Sequence, residues 1–309
     1  MLADRCPVSR ICHEVMRHWG VTPIEYLGGR SNKHWLVESG GSRLVFRGYS
    51  TEPLDDIDYE LEVLRRLRGL GWPVSAAVEE PMHFGGRTWC LFTWLPGVCR
   101  PSANSAEERR ARGRLLAELH SSMARIVGMG QRGGFGRSDE VIRDPELVSL
   151  IRVYERIYPA EGHIMRWHLD RAQEAFASID VETAETIVLH SDFARWNLLF
   201  EGERLTGILD FEATHLNYRV ADFALSWRGD QDEVIDGYQE VRKLTRLDWE
   251  LLVPVYWSWI FLGVKKEIQA MISGKIPPYA FEWQVKHLMK RSGLLGQRAP
   301  RYPGHKSGS

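Results

Sequence analysis

Cysteine, paired metal ligands and long apolar runs are all scarce in this chain, and each scarcity removes a class of protein. Only Cys6, Cys12, Cys90 and Cys99 occur in 309 residues, and no two stand at Cys-x-x-Cys spacing. A structural zinc site and a secreted disulfide framework are therefore not expected, and thiols in a reducing, cytoplasmic compartment are. The 11 histidines include no His-x-x-x-His pair. No run approaches the roughly 18 apolar residues of a membrane span. The most apolar stretch, WELLVPVYWSWIFLGVK, is interrupted by Pro254 and reads as a Trp-rich core segment. The N-terminal MLADRCPVSRICHEVMRHWG carries charges throughout, so a secretory signal is not expected either. An excess of one charge is missing too: 40 basic against 41 acidic residues give a net charge of −1, which argues against a nucleic-acid partner. Any steering of a substrate must come from local charge.

What the chain does contain is a change of texture near residue 96. Val8, Ile11, Cys12, Val15, Met16 and Trp19 recur at helical intervals until Gly20. The runs IEYLGG, KHWLVES and RLVFRGY follow, divided by Gly28-Gly29 and Gly40-Gly41, and predict an antiparallel meander. DDIDYELEVLRRLRGLGW places Ile57, Leu61, Leu64 and Leu67 on one helical face, and TWCLFTWL predicts a further strand. Residues 1–95 thus read as a small β-rich lobe carrying one important helix. Pro96-Gly97 marks a hinge at about 93–97, and 96–309 forms a mainly helical lobe. There Ser105 and Glu108 predict a capping box, and helices are expected over 140–158, 162–178, 221–242, 247–270 and 280–291. The strand-like islands ETIVLH, WNLLF and LTGILDF interrupt them once. The last residues, 298–309, are polar, rich in Pro and Gly, and expected to be mobile. The fold class is α+β and bilobal. No internal repeat is present, and nothing sets an oligomeric state.

The chemistry concentrates in LHSDFARWNLLF and the LTGILDFEATH that follows. From His190, Asp192 stands at +2, Asn197 at +7 and Asp210 at +20. A loop between short strands can aim one carboxylate at a hydroxyl nucleophile while an amide five residues on turns to a metal. A second carboxylate on the neighbouring strand closes that metal site. Mg²⁺ prefers oxygen ligands and keeps several waters, so one amide, one carboxylate and nucleotide phosphates suit it. The spacing parallels the His-Arg-Asp-x-x-x-x-Asn and Asp-Phe-Gly elements of protein kinases.

HSDFARWNLL followed by GILDF resembles the aminoglycoside phosphotransferase and choline kinase-like small-molecule kinases, whose fold is that of the protein kinases. The resemblance runs from about Tyr26 to Leu225. It extends to Arg219-Val220-Ala221-Asp222-Phe223-Ala224, similar to the family's Pro-x-x-Asp-Leu-Ala segment. It implies that Asp192 is catalytic, orienting the acceptor hydroxyl, and that Asn197 and Asp210 hold Mg²⁺ on the phosphates of ATP or GTP. His190 and Asp222 become scaffold. In the first lobe, Gly28-Gly29 with Ser31 and Asn32 would cover the phosphates, Arg47 would contact them, and Glu60 would pair with Arg47, with Glu62 the rival. The backbone of Thr93 and Leu95 would face the purine. Three departures stand out. Ser191 replaces the family's usual Gly, Arg195 brings a cation into the loop where Pro is common, and Glu212 follows Asp210-Phe211. A protein substrate is not expected.

The acceptor is expected to be a small hydroxylated molecule, first an antibiotic of aminoglycoside type. A metabolic acceptor (choline, homoserine or a sugar) and a non-catalytic kinase-like binding protein are the alternatives. Asp230, Asp232 and Glu233, in the acidic DQDEVID, would receive a polycation, and Arg195 an acidic group. The bland reading of that acidic run is a helix start, where Asp and Glu complement the dipole. Trp227, Tyr256, Trp257 and Trp259 form either a stacking wall or core.

Overall fold

A computed structural model describes residues 10–29, 32–50, 56–100 and 102–303. In chain order the elements begin with α1 (Arg10–His18), β1 (Thr22–Gly28), β2 (Lys33–Ser39), β3 (Ser42–Gly48) and α2 (Ile57–Gly69). They continue with β4 (Met82–Phe84), β5 (Arg87–Thr93), β6 (Val98–Cys99), α3 (Ala106–Met123), α4 (Ser138–Arg143), α5 (Pro145–Ile157) and α6 (Pro159–Ser178). Then come β7 (Thr186–Leu189), β8 (Leu198–Glu201), β9 (Arg204–Ile208) and β10 (His215–Tyr218). The chain closes with α7 (Phe223–Trp227), α8 (Asp232–Val241), α9 (Arg246–Ile272), α10 (Glu282–Leu288) and α11 (Gly293–Arg298). They divide into two compact units. The first takes in the described residues up to Arg100 together with Trp196–Glu212; the second holds the rest. No helix among the described residues is long and apolar enough to cross a membrane.

The first unit is built on an antiparallel sheet of order β1-β2-β3-β5-β4, the meander its glycine turns predict. One face buries Trp35, Phe46 and Trp89 with Cys12, Val15 and Met16 of α1, and Phe46 stacks on Trp89 at 5.1 Å. A second, three-stranded sheet, β6-β8-β9, brings in the late hairpin. The lobe drawn from sequence, residues 1–95, is continuous; the compact unit adds this hairpin because β6 pairs β8, Val98 facing Phe200. On α2 the buried stripe is Ile57, Glu60, Leu64 and Leu67, with Tyr59 and Val63 beside it. Leu61, expected on that stripe, is half-buried; Glu60 has its place.

The second unit is helical around the ribbon β7-β10. The expected capping box is present: Ser105 Oγ accepts from Glu108 N (3.2 Å), and Glu108 accepts from Ser105 N (2.8 Å). α3 and α8 cross at two glycines. A Cβ on Gly113 would sit 2.0 Å from Val234 O, and one on Gly237 would sit 1.9 Å from Arg110 O. The single helix expected over 140–158 is divided at Asp144-Pro145, where Asp144 accepts from Glu146 N at 2.9 Å and caps α5. The segment 221–242 is likewise divided, by a turn through Arg228 at φ 53°. The helix expected over 247–270 is present as the continuous α9, with Pro254 inside it. Trp227, Tyr256 and Trp257 are fully buried, so they are core. The tail's start is packed: Ala299 is buried, and the Tyr302 ring lies 5.4 Å from Trp167. Residues 304–309 lie outside the described residues.

Candidate active site

Within the first unit, the β8–β9 register explains how two residues 13 apart come together. Leu198 faces Ile208, and Leu209 N donates to Asn197 O at 2.8 Å. Asn197 and Asp210 therefore stand at the same end of the hairpin. Ile208 N donates to Pro73 O (2.9 Å), which ties that hairpin to the segment after α2. Both residues line a cavity of about 370 Å³ with Gly29, His34, Arg47, Glu60, Thr93 and Leu95. That size falls at the lower end of small-molecule sites. Apolar walls come from Val45, Phe92 and Leu199. Asp210 holds φ 68°, a left-handed conformation that non-glycine residues rarely adopt.

Arg47 is the electrostatic centre of this cavity. Its Nη1 donates to Glu60 Oε1 at 2.9 Å and its Nη2 to Glu212 Oε2 at 2.8 Å. Tyr49 OH donates to Glu60 Oε2 (3.2 Å), and the Arg47 guanidinium lies 4.3 Å from the Tyr49 ring centre. A glutamate on the buried stripe of α2 needs such a partner, because an unpaired buried charge is costly. Burial works against the Arg47 charge, but Glu60, Tyr49, Glu212 and Asp210 together hold its pKa above the ordinary guanidinium value. The rival Glu62 instead binds Arg65 (2.7 Å) and Arg66 (2.6 Å) on the helix surface. His34 is directly opposite Arg47 in the β2–β3 register. Burial and then the Arg47 charge lower its pKa to about 4, so it is neutral at pH 7.

The other first-unit positions expected in the site are Ser31, Asn32, Thr93 and Leu95. Asn32 is buried, and its amide is engaged at both ends, accepting from Ser50 N at 2.8 Å and donating to Glu212. Its side chain thus ties the start of β2 to Ser50 and Glu212. Ser31 lies outside the described residues. Gly29 holds φ 128°, and a Cβ there would sit 1.9 Å from Asn32 O, so the turn requires glycine. Thr93 N donates to Ala76 O at 2.9 Å, and Trp94, Leu95 and Gly97 line the cavity beside it. Glu212 was not singled out from sequence as a partner of Arg47; its only signal was the departure from Gly after Asp-Phe. Among the described residues no group of three or more His, Cys, Asp or Glu could hold a metal alone. Asn197 and Asp210 offer one amide and one carboxylate oxygen donor, a set that fits Mg²⁺ completed by phosphates and water.

In the second unit, the loop His190–Arg195 is held from below by Asp222. This fully buried carboxylate accepts from His190 N (2.9 Å), Ser191 N and His120 Nε2 (3.0 Å). Burial pushes its pKa up, but the His120 bond and these further contacts outweigh that and hold it below the usual range. His190 Nδ1 accepts from Asp192 N at 3.1 Å, so its ring shapes the turn that carries Asp192. The strands flanking this loop belong to different sheets: β7 pairs β10, and β8 pairs β9. Ser191 has φ 69°, where glycine would be at ease. Three of the four acids of the 230–236 run, those expected to receive a polycation, have partners of their own. Asp230 binds Lys290 (2.6 Å). Asp232 accepts from Trp227 Nε1 (2.7 Å) and Leu294 N (2.9 Å). Glu233 takes Arg109 through two bonds of 2.8 Å.

Residues 21–251 match the sequence model described as the phosphotransferase enzyme family. Homoserine kinase of Zymomonas mobilis subsp. mobilis (strain ZM4) is 28% identical over 178 residues, 52% of this chain and 51% of that protein. Homoserine kinase of Pseudomonas aeruginosa PAO1 is 25% identical over 220 residues, 67% of this chain and 65% of that protein. The chain thus spans about half to two thirds of the curated relatives' length. Among solved structures, an amicoumacin kinase with AMP-PNP, Ca²⁺ and Ami has a TM-score of 0.66 at 11% identity, covering 89% of this chain and 91% of that one. Aminoglycoside phosphotransferase APH(4)-Ia with AMP-PNP and hygromycin B scores 0.65 at 17% identity, covering 89% and 95%. A microcompartment-associated aminopropanol kinase scores 0.62 at 19%, covering 87% and 88%. At such identities the likeness is one of fold.

Proposed function

The chain belongs to the phosphotransferase enzyme family, and from that premise we propose that it transfers the γ-phosphoryl group of ATP or GTP to a hydroxyl of a small molecule. One observation carries this reading: the hairpin register brings Asn197 and Asp210 into the same cavity as the ion-paired Arg47. In this reading the first unit takes the nucleotide, with Arg47 on the phosphates and the base against Phe92 and Leu95. Asn197 and Asp210 hold Mg²⁺, which when bound neutralises charge on the phosphates. The second unit takes the acceptor. Asp192, braced by His190 and Asp222, accepts the hydroxyl proton as the new O–P bond forms and the bond to the β-phosphate oxygen breaks. Positioning and charge neutralisation supply most of the acceleration.

For the acceptor, an amine-bearing alcohol of metabolism stands ahead of a polycationic antibiotic. The curated relatives are homoserine kinases, and one structural neighbour is an aminopropanol kinase. The carboxylates that a polycation would need, Asp230, Asp232 and Glu233, are already bonded within their own unit. A cytoplasmic site of action accords with this metabolic reading. The test is a coupled ADP-release assay with Mg-ATP and Mg-GTP over homoserine, aminopropanol, choline, sugars and aminoglycosides. Turnover with a small amino alcohol, lost in Asp192→Ala with nucleotide binding retained, is the expected result. Near wild-type turnover in that variant overturns the assignment, and turnover confined to aminoglycosides restores the antibiotic reading.

A further inference from the structure

Arg112 lies on α3 beside Gly113 and is only 6% exposed. Its Nη2 donates to Gln231 Oε1 (3.1 Å), to Ser226 O (3.3 Å) and, at 3.5 Å, to Asn104 Oδ1. All three are neutral oxygens, and its buried Nε has no hydrogen-bond partner. Buried arginines are normally neutralised by a carboxylate; one that is not costs stability. The neighbourhood makes this worse. After burial itself, Arg195, Arg109 and Arg228 weigh against the Arg112 charge, with Glu108 opposing them, and its pKa falls to about 10.

The nearby acids do not relieve it. Glu233 is bound to Arg109, Asp230 to Lys290, and Asp232 to Trp227 and Leu294. Arg112 is nonetheless close to the chemistry. Ser226, whose carbonyl accepts from Arg112, donates its own hydroxyl to Phe193 O, the residue after Asp192. Arg195 belongs to the same loop. Arg112 is thus a buried cation with no carboxylate among these hydrogen-bond partners, one residue removed from the loop that also carries Arg195.

We propose that Arg112 and Arg195 form an anion subsite in the second unit, and that the acceptor alcohol carries a carboxylate, as a hydroxy amino acid does. The inference rests on the kinase reading for the word acceptor, but the subsite itself is a matter of binding. A carboxylate there is held alike in ground and transition states, so losing the contact raises KM and leaves kcat nearly unchanged. The purely structural alternative is that Arg112 ties α3 to Ser226 and Gln231. In that case its removal weakens the fold and affects every acceptor equally.

The two are separated by Arg112→Met, which keeps the volume and removes the charge, and Arg112→Lys, which keeps the charge without the fork. Homoserine, homoserine carboxamide and aminopropanol serve as acceptors with Mg-ATP, and calorimetry without nucleotide measures binding of each. Wild type is expected to favour homoserine over its carboxamide at least tenfold in kcat/KM. Arg112→Met should raise the homoserine KM by about 10- to 100-fold, shift the carboxamide less than threefold and leave Tm no lower, with Arg112→Lys intermediate. Equal losses on all acceptors with a lowered Tm overturn the proposal, as does a wild type that takes the carboxamide as readily as the acid. Homoserine binding that depends on Arg112 without any ADP formation upholds the subsite and sinks the kinase reading instead. No calorimetric binding of homoserine sinks the subsite whatever the assay for ADP shows.

Discussion

Ser191 and Asp210 are two of three non-glycine residues with positive φ among those described, and both flank the candidate chemistry. Each such conformation costs on the order of 1–3 kcal/mol and persists only where the surroundings over-determine it. At Ser191 the cause is visible, since its N–H and that of His190 both point at the Asp222 carboxylate. Ser191→Gly is expected to keep or raise stability by up to about 1 kcal/mol, read by urea denaturation, whereas Ser191→Val should lose stability. The two acids of α2 make a second contrast. Glu60→Ala strips a buried partner from Arg47 and should cost about 3 kcal/mol. Glu62→Ala removes partly exposed pairs and should cost less than about 1 kcal/mol. Charge alone could not choose between them in the sequence. The phase of the helix could: position 60 shares a face with Ile57, Leu64 and Leu67, while 62 does not. Glu212 had no comparable signal, because its partner Arg47 is 165 residues away.

At the level of elements, the meander, α2, the capping box and the β8–β9 hairpin were legible because each is written in local periodicity and turn chemistry. What escaped was set by distant contacts. β10, the four residues HLNY, has no alternation of its own and is a strand only because β7 is there to pair it. The α3–α8 crossing depends on glycines that read in sequence as weak points of helices. Gly237→Ala improves helix propensity by about 1 kcal/mol, but the new methyl would meet the Arg110 carbonyl at 1.9 Å. The expected net is a loss of about 1–3 kcal/mol from overpacking, measured as a drop in Tm. Equal or higher Tm would show that the crossing can open without penalty.

Across the whole molecule the near-zero net charge hides a specific sensitivity to acid. His168, fully buried against Trp257, has its pKa lowered to about 4 by burial, as has His34 by burial and Arg47. An unfolded histidine titrates near 6.5, so below that pH the unfolded chain binds protons that the folded one refuses. Stability present above about pH 6.5 is therefore lost progressively toward pH 4, each fully engaged group steepening the slope by up to about 1.4 kcal/mol per pH unit. Denaturation midpoints should fall between pH 7 and pH 5, and His168→Phe should flatten that fall; an unchanged slope would place the sensitivity elsewhere. The late hairpin has a consequence for synthesis. When the first 100 residues leave the ribosome, β6 has no strand to pair with, and neither Asn197 nor Asp210 yet exists. The nascent unit must wait for nearly a hundred further residues before Trp196–Glu212 arrives, so a fragment ending at Arg100 should expose an unpaired edge.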